Sequence, residues 1–567
     1  MKRTAQCVRV CTAAVAFAGL ASCATPPAGS LATLATLATS ATLSAERCAA
    51  LAGERVAASA IGLPTGGAAV ITAGWVPAAP ASETMQAVTE YCRVLGEILP
   101  VDPKAPPIRF QLNVPPAWNG GVIQVGGGGL NGSIPLNLAA LAGSGSPVSG
   151  AQPPDAPYPI NRGYAMFGGD SGHQGDAGAW ALNDEARENF AHAALKKTRD
   201  AAVALIARLT GEAPRHRYFM GQSQGGREAL EVAQRYGADY DGIVATAPLI
   251  GYVPHVLHKT LLAAAQTGAA WISPAKAQAI GAEVLRQCDA LDSLTDGVIG
   301  NSVGCRQRFD PAPLRCPGGT DAGEHCLSDA QLATLARMHA PLRFPYALAN
   351  GLTEFPGYGL GREASPGWLN IAPQPKAGTP PALGQPGTTV QFAVLRDPAA
   401  DLLGLSLDAA RERIVAASKL LDSTNPDLGA FFARGGKLIV KANGSDYAVN
   451  TQTLARWFDA VRAWNGETTV ARHTRFYLVP NVGHNGEGAS ATTGEAIPHA
   501  VDLVTMMTDW VEHGTPPPAT PLLRAIARRA PYAVSREQPL CVYPRYPHYQ
   551  GGDTKQAASY ACTAPAP

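Results

Sequence analysis

Hydrophobic positions gather in short continuous runs separated by stretches of helical periodicity. Apolar runs bounded by turn residues cover 121–125, 164–168, 218–220, 243–247, 438–441 and 475–479. Runs this short predict strands buried on both faces. Helical patterns over 186–209 and 227–236 separate some of them. Strands alternating with helices predict a mostly parallel α/β sheet covered on both sides. From about 251 to 430 the pattern changes to helical pieces mixed with prolines, glycines and four cysteines. This segment is expected to be one inserted domain, dividing the sheet domain into 46–250 and 431–567.

The first residues follow a different rule. Lys2, Arg3 and Arg9 accompany an apolar stretch, 10–20, too short to span a bilayer as a permanent helix. Residues 1–22 therefore read as a secretion signal. It ends in Leu20-Ala21-Ser22-Cys23, which resembles a bacterial lipobox and implies cleavage before Cys23 and lipidation of its thiol. The following 23–45 segment, with its uncharged LAT-LAT-LAT run, predicts a disordered tether. The expectation is an exported protein, periplasmic, outer-membrane or secreted, that meets a membrane only through a lipid on Cys23.

Composition sharpens this. A chain of 567 residues with 46% hydrophobic and 16% charged residues has ample core for more than one domain, or for one with a large insertion. Formal charge is +1 with no basic stripe, which argues against a nucleic-acid partner. Of 11 cysteines, Cys7 and Cys11 leave with the signal and Cys23 is expected to carry lipid. The remaining even set suits disulfides in an oxidising compartment. Chain order invites nearest-neighbour pairs: Cys48–Cys92, Cys288–Cys305, Cys316–Cys326 and Cys541–Cys562.

The sharpest chemical signal is Tyr218-Phe219-Met220-Gly221-Gln222-Ser223-Gln224-Gly225-Gly226-Arg227-Glu228. Strand, Gly-x-Ser-x-Gly, then helix is the context of a nucleophile elbow, where a tight turn exposes the serine hydroxyl. Gly221 and Gly225 are the small flanks that such a turn needs. The N–H of Gln224 is then placed to bind a developing oxyanion. Upstream, a strand runs into Gly126-Gly127-Gly128-Gly129-Leu130-Asn131-Gly132. Backbone must approach the substrate carbonyl closely there, so Gly128 or Gly129 is the expected second oxyanion donor. A flexible loop or a phosphate cradle is the alternative, but no GxxxxGK[ST] follows and no acidic ribose ligand lies about 20 positions on.

In an α/β-hydrolase the acid and the histidine follow the serine, at strand ends. Strand 438–441 leads through Ala442-Asn443 into Gly444-Ser445-Asp446, and strand 475–479 into Pro480-Asn481-Val482-Gly483-His484. Of 12 histidines, His484 alone has this placement, in a glycine-rich loop after the last strong strand. Ser223, His484 and Asp446 are thus the candidate triad, with hydrolysis through a covalent acyl-enzyme and no organic cofactor.

These residues together resemble the tannase and feruloyl esterase family. The matching pieces are GGGGLNG at 126–132, GYAMFGGDSGHQG at 163–175, WALN at 180–183, GQSQGGREAL at 221–230, GSD at 444–446 and VPNVGH at 479–484. The resemblance covers about 46–567. It implies an α/β-hydrolase fold with a large inserted lid and activity on aromatic or related small esters. It departs at one point: the family usually carries a disulfide between the residues flanking the serine and the histidine, and here Gln222 and Asn485 stand there. A Gln222–Asn485 hydrogen bond is the expected substitute, and the usual tannin and feruloyl specificity is left open.

One further cluster, Cys288 to Ile299, holds three aspartates within eight residues. Closely spaced hard oxygen donors suit Ca²⁺, although the loop is too short for an EF-hand; a solvated acidic loop is the plainer reading. The resemblance implies a lid calcium held by Asp289, Asp292, Asp296 and the carbonyls of Leu294 and Val298. Trp271, Phe344, Tyr346, Phe355, Tyr358, Trp368 and Phe392 in the insertion could form either an apolar substrate wall or the insertion's own core. An amidase or peptidase on the same scaffold, and a catalytically dead surface-binding protein, are the competing readings.

Overall fold

The structure is a computed structural model and describes residues 43–83, 85–136, 150–175, 177–369 and 381–566. The signal, Cys23 and most of the tether lie outside the described residues.

A ten-stranded sheet organises the chain. Its strands are β1 (Arg55–Val56), β2 (Ala68–Val76), β3 (Tyr91–Ile98), β4 (Ile108–Val114), β5 (Gly121–Val125), β6 (Ala165–Gly169), β7 (His216–Gln222) and β8 (Gly242–Thr246). A short hairpin, β9 (Leu342–Arg343) with β10 (Glu354–Phe355), stands apart, and β11 (Lys437–Asn443) and β12 (Thr474–Val479) complete the sheet. Spatial order is β1-β2-β3-β4-β6-β5-β7-β8-β11-β12. From β6 to β12 all neighbours are parallel; from β1 to β6 they are antiparallel.

The six expected strands are β5, β6, β7, β8, β11 and β12. Every residue of β5 and β8 is buried, as helices on both faces require. Alternation sends neighbours to opposite sides. Tyr218, Met220, Ile439 and Tyr477 enter one core; Phe219, Leu438, Val440 and Phe476 enter the other. The helix expected over 186–209 spans Asp184–Thr210 with one wider turn at Asn189–Ala193.

The antiparallel flank was not expected. β4 buries Ile108, Phe110, Leu112 and Val114 while Arg109 is exposed and Gln111 half-buried. That period-two pattern belongs to strands with one wetter face, and a search for continuous apolar runs passes over it. Two C-terminal hairpins were also missed: β13 (Leu522–Ile526) with β14 (Val534–Pro539), and β15 (Tyr546–Tyr549) with β16 (Tyr560–Thr563).

The segment between β8 and β11 forms helices around two apolar clusters. Its chain enters and leaves side by side, where the Ser423 N–H donates to the Ile250 carbonyl at 3.0 Å. Phe344, Tyr346, Phe355, Tyr358 and Trp368 are buried in these clusters, Phe392 packs against them, and Trp271 is half-buried, so most of the aromatics form the segment's own core. All four disulfides pair as chain order suggested: Cys48–Cys92, Cys288–Cys305, Cys316–Cys326 and Cys541–Cys562. No helix among the described residues is long and apolar enough to cross a membrane.

Candidate active site

β7 ends at Gln222 and a helix begins at Gln224, leaving Ser223 alone in the turn. Its backbone sits at φ 61°, ψ −117°, a costly conformation for a residue with a side chain. The surroundings impose it. The Ser223 N–H donates to Thr246 O at 3.0 Å, and its carbonyl accepts from Arg227 and Leu249. A Cβ on Gly221 would meet the Gly225 carbonyl at 2.3 Å, and one on Gly225 would meet Gly127 O at 2.6 Å. Only glycine lets strand, turn and glycine loop close this tightly. The helix after Ser223 aims its positive end at the turn.

Asp446 and His484 meet beyond the ends of adjacent parallel strands β11 and β12. His484 Nδ1 lies 2.7 Å from Asp446 Oδ2. A carboxylate can only accept, so Nδ1 carries the proton and Nε2 is left as the basic nitrogen. The other Asp446 oxygen accepts from the Ala448 and Val449 N–H groups at 2.8 and 3.0 Å. Burial drives the His484 pKa down, but the charge and hydrogen bond of Asp446 outweigh it and the net shift is upward.

The histidine loop is tied to the serine turn. Gln222 Nε2 donates to the His484 carbonyl at 2.8 Å, and Asn443 Nδ2 donates to the same oxygen at 3.1 Å. This corrects the expected Gln222–Asn485 pair: the bond goes to the main chain of His484, and the Asn485 N–H donates to Glu487. The brace therefore does not depend on the side chain at position 485.

In the glycine loop the Gly126 N–H bonds Met220 O and the Gly127 N–H bonds Glu228, both at 2.9 Å. The N–H groups of Gly128 and Gly129 have no partner among the described residues, and both glycines are exposed. Gln224 is buried at the helix start, on the opposite side of Ser223 from Gln222 in the chain.

Several contributors escaped sequence reasoning. Glu228 braces the glycine loop, and Lys259 reaches from helix Tyr252–Ala265 to donate to Ala448 O at 3.0 Å, beneath Asp446. Burial lowers the Lys259 pKa to about 8. The inserted segment also grips the Asp446 loop: Ser445 Oγ donates to Leu360 O, and the Tyr447 hydroxyl to Gly359 O, both at 3.0 Å. Nothing in a single sequence marks such long-range partners.

This arrangement fits the wider comparison. A family profile described as tannase and feruloyl esterase matches residues 92–563. The chain belongs to the tannase and feruloyl esterase family. An uncharacterized esterase of Agrobacterium fabrum is 35% identical over 91% of this chain and 92% of its own. Mono(2-hydroxyethyl) terephthalate hydrolase of Piscinibacter sakaiensis is 29% identical over 88% of this chain and 89% of its own. The crystal structure of feruloyl esterase B from Aspergillus oryzae, 20% identical, superposes with a TM-score of 0.74 over 91% of this chain and 99% of that one. The fold is that of the family's α/β-hydrolases, and the chain is a carboxylic ester hydrolase.

In the 288–299 loop, Asp289 accepts from Gly297 and Val298, Asp292 from Leu294, and Asp296 from Val298 and from Arg536 Nη2 at 2.7 Å. Burial first, and then Asp296 and Asp289, push Asp292 up to about 7. A Cβ on Gly300 would lie 2.0 Å from Asp292 Oδ2, so that glycine makes the room the carboxylate occupies. Crowded carboxylates suit a hard cation in charge and donor type. As arranged, however, their oxygens are turned to N–H groups and Arg536, and among the described residues no three His, Cys, Asp or Glu side chains gather as metal ligands.

Proposed function

We propose that this ester hydrolase works through a Ser223-His484-Asp446 triad and a covalent acyl-enzyme. One observation carries the proposal: the Asp446-bound imidazole belongs to a loop whose main chain is hydrogen-bonded to Gln222, the residue next to the strained serine. His484 Nε2 takes the Ser223 proton as Oγ attacks the ester carbonyl. Asp446 holds the ring in the productive tautomer and stabilises the imidazolium. The N–H groups of Gln224 and of Gly128 or Gly129 hold the oxyanion, each worth about 3 kcal/mol in the transition state. His484 then protonates the leaving alkoxide, and water repeats the sequence to release the acid.

The substrates we assign are small esters of aromatic carboxylic acids, because the similar proteins are named for terephthalate and feruloyl esters. Hydrolysis of a panel of phenolic, phthalate and aliphatic esters, each beside its amide, tests this. Ser223→Ala should abolish turnover and labelling by a fluorophosphonate probe. Retained turnover in that variant overturns the triad, and faster amide cleavage overturns the ester preference.

The proposal extends to location and metal. Four disulfides support an oxidising compartment, and the 1–23 motif supports export with a lipid on Cys23. Cys23→Ser should move the protein from the membrane fraction to the soluble fraction. A structural calcium on Asp289, Asp292, Asp296 and the carbonyls of Leu294 and Val298 is supported by the repulsion among these carboxylates; binding requires Asp296 to release Arg536.

A further inference from the structure

The four glycines 126–129, which include the proposed oxyanion donor, have no side chains with which to hold themselves in place. The support comes from Glu228. This residue lies on the helix after Ser223, one turn beyond Gln224, and is 1% exposed. One carboxylate oxygen accepts the Gly127 N–H at 2.9 Å; the other accepts Asn131 Nδ2 at 2.5 Å and the Ser171 hydroxyl at 3.4 Å. Gly127 and Asn131 bracket the two exposed glycines. The Asn131 N–H turns back to Gly128 O at 2.8 Å, so fixing Asn131 also fixes the peptide between the candidate donors. Contact at the root of the loop is equally close, since a Cβ on Gly126 would lie 2.6 Å from Gly225 Cα.

We propose that Glu228 is a positioning residue for the oxyanion hole: it locks the 126–132 loop to the nucleophile helix and so sets the Gly128 and Gly129 N–H groups against Ser223. The inference rests on the serine-esterase reading above. Its physical basis is that a carboxylate accepts at both oxygens and donates at neither, so it can satisfy two donors from opposite ends of one loop. Glutamine at this position presents one N–H group to a donor. The Asn131 amide can answer by turning over, because Asn131 Oδ1 is buried without a partner. Alanine loses both contacts and leaves buried donors unsatisfied.

The test compares Glu228→Gln and Glu228→Ala with the parent, using the full-length enzyme. Expected are a fall in kcat of about 10-fold for Gln and about 100-fold for Ala with KM within about 2-fold, since oxyanion donors act in the transition state. Affinity for a boronic acid that mimics the tetrahedral intermediate should fall in parallel, while affinity for the carboxylic acid product stays. Parent-like kcat in both variants overturns the proposal. So does a loss that follows only the folded fraction, read by thermal unfolding, with kcat per active site by fluorophosphonate titration unchanged. If Ser223→Ala retains turnover, the serine-triad reading itself fails, which is a separate result.

Discussion

His484 Nδ1 stands 2.7 Å from an Asp446 carboxylate whose side chain is wholly shielded from solvent. The pair sets the pH response. The proposed triad needs neutral His484, whose pKa lies above the ordinary 6.5. The value of kcat/KM should therefore rise with pH through a midpoint above 6.5. Asp446→Asn removes the negative charge that outweighs burial, so the midpoint should move down, while kcat falls about 10⁴-fold through loss of tautomer control. The charged pair also stabilises the fold below the unfolded value, and that contribution fades as pH rises through the higher folded one. A pH–rate profile of the residual Asp446→Asn activity with an unmoved acid limb would refute the assignment.

Gln222 ties the serine turn to the histidine loop with one hydrogen bond. Asn443 shares its acceptor, so the His484 carbonyl loses all side-chain support only when both are gone. Gln222→Ala should cost about 1 kcal/mol of stability and lower kcat a few-fold at constant KM. With Asn443→Ala added, the loss should exceed the sum of the two single losses, because the part-buried His484 carbonyl then has no side-chain donor. Additive effects in unfolding and kinetics would show that the two amides act separately.

The proposed calcium predicts a response to chelation without loss of the active site. Treatment with a calcium chelator should lower Tm by several degrees, and added calcium should restore it, by mass action on the folded state. Asp292→Ala should remove both effects. Insensitivity of Tm to chelator and to calcium would leave the three aspartates as a loop closed by its own N–H groups and Arg536.

The sequence made the centre of the molecule legible and left its margins obscure. Strands β5 to β8, β11 and β12 are continuous apolar runs, because both faces are covered. The elbow and the two loops bearing Asp446 and His484 were legible because tight turns at strand ends restrict residue type. β2 was passed over although Ala68–Val76 is apolar apart from Thr72 and Gly74, and in the fold most of it is only half-buried or exposed. The partner of Gln222 was misjudged for another reason. A one-dimensional reading pairs side chains with side chains, whereas most side-chain hydrogen bonds go to backbone or water. Glu228 and Lys259 were passed over since each looks like an ordinary helix charge until the fold sets it against a loop of the site.

Lys259 supplies the last prediction, opposite in sign to that for Asp446. Lys259 is half-buried, its ammonium donates to Ala448 O at 3.0 Å, and its positive charge depresses the His484 pKa. Lys259→Met keeps the length of the stem and removes the charge. The acid limb of kcat/KM should then move up, where Asp446→Asn moves it down. Burial has also brought the lysine itself to about 8, within the range of an assay. As pH rises through that value the lysine loses its charge, and its influence on the Asp446–His484 pair ends. The parent should therefore show a second inflection near pH 8 that Lys259→Met lacks. The lost hydrogen bond should cost about 1 kcal/mol, offset in part by relief of burying a charge. Matching profiles for parent and variant from acid to alkaline pH would mean that the ammonium is a prop for the Ala448 turn and nothing more.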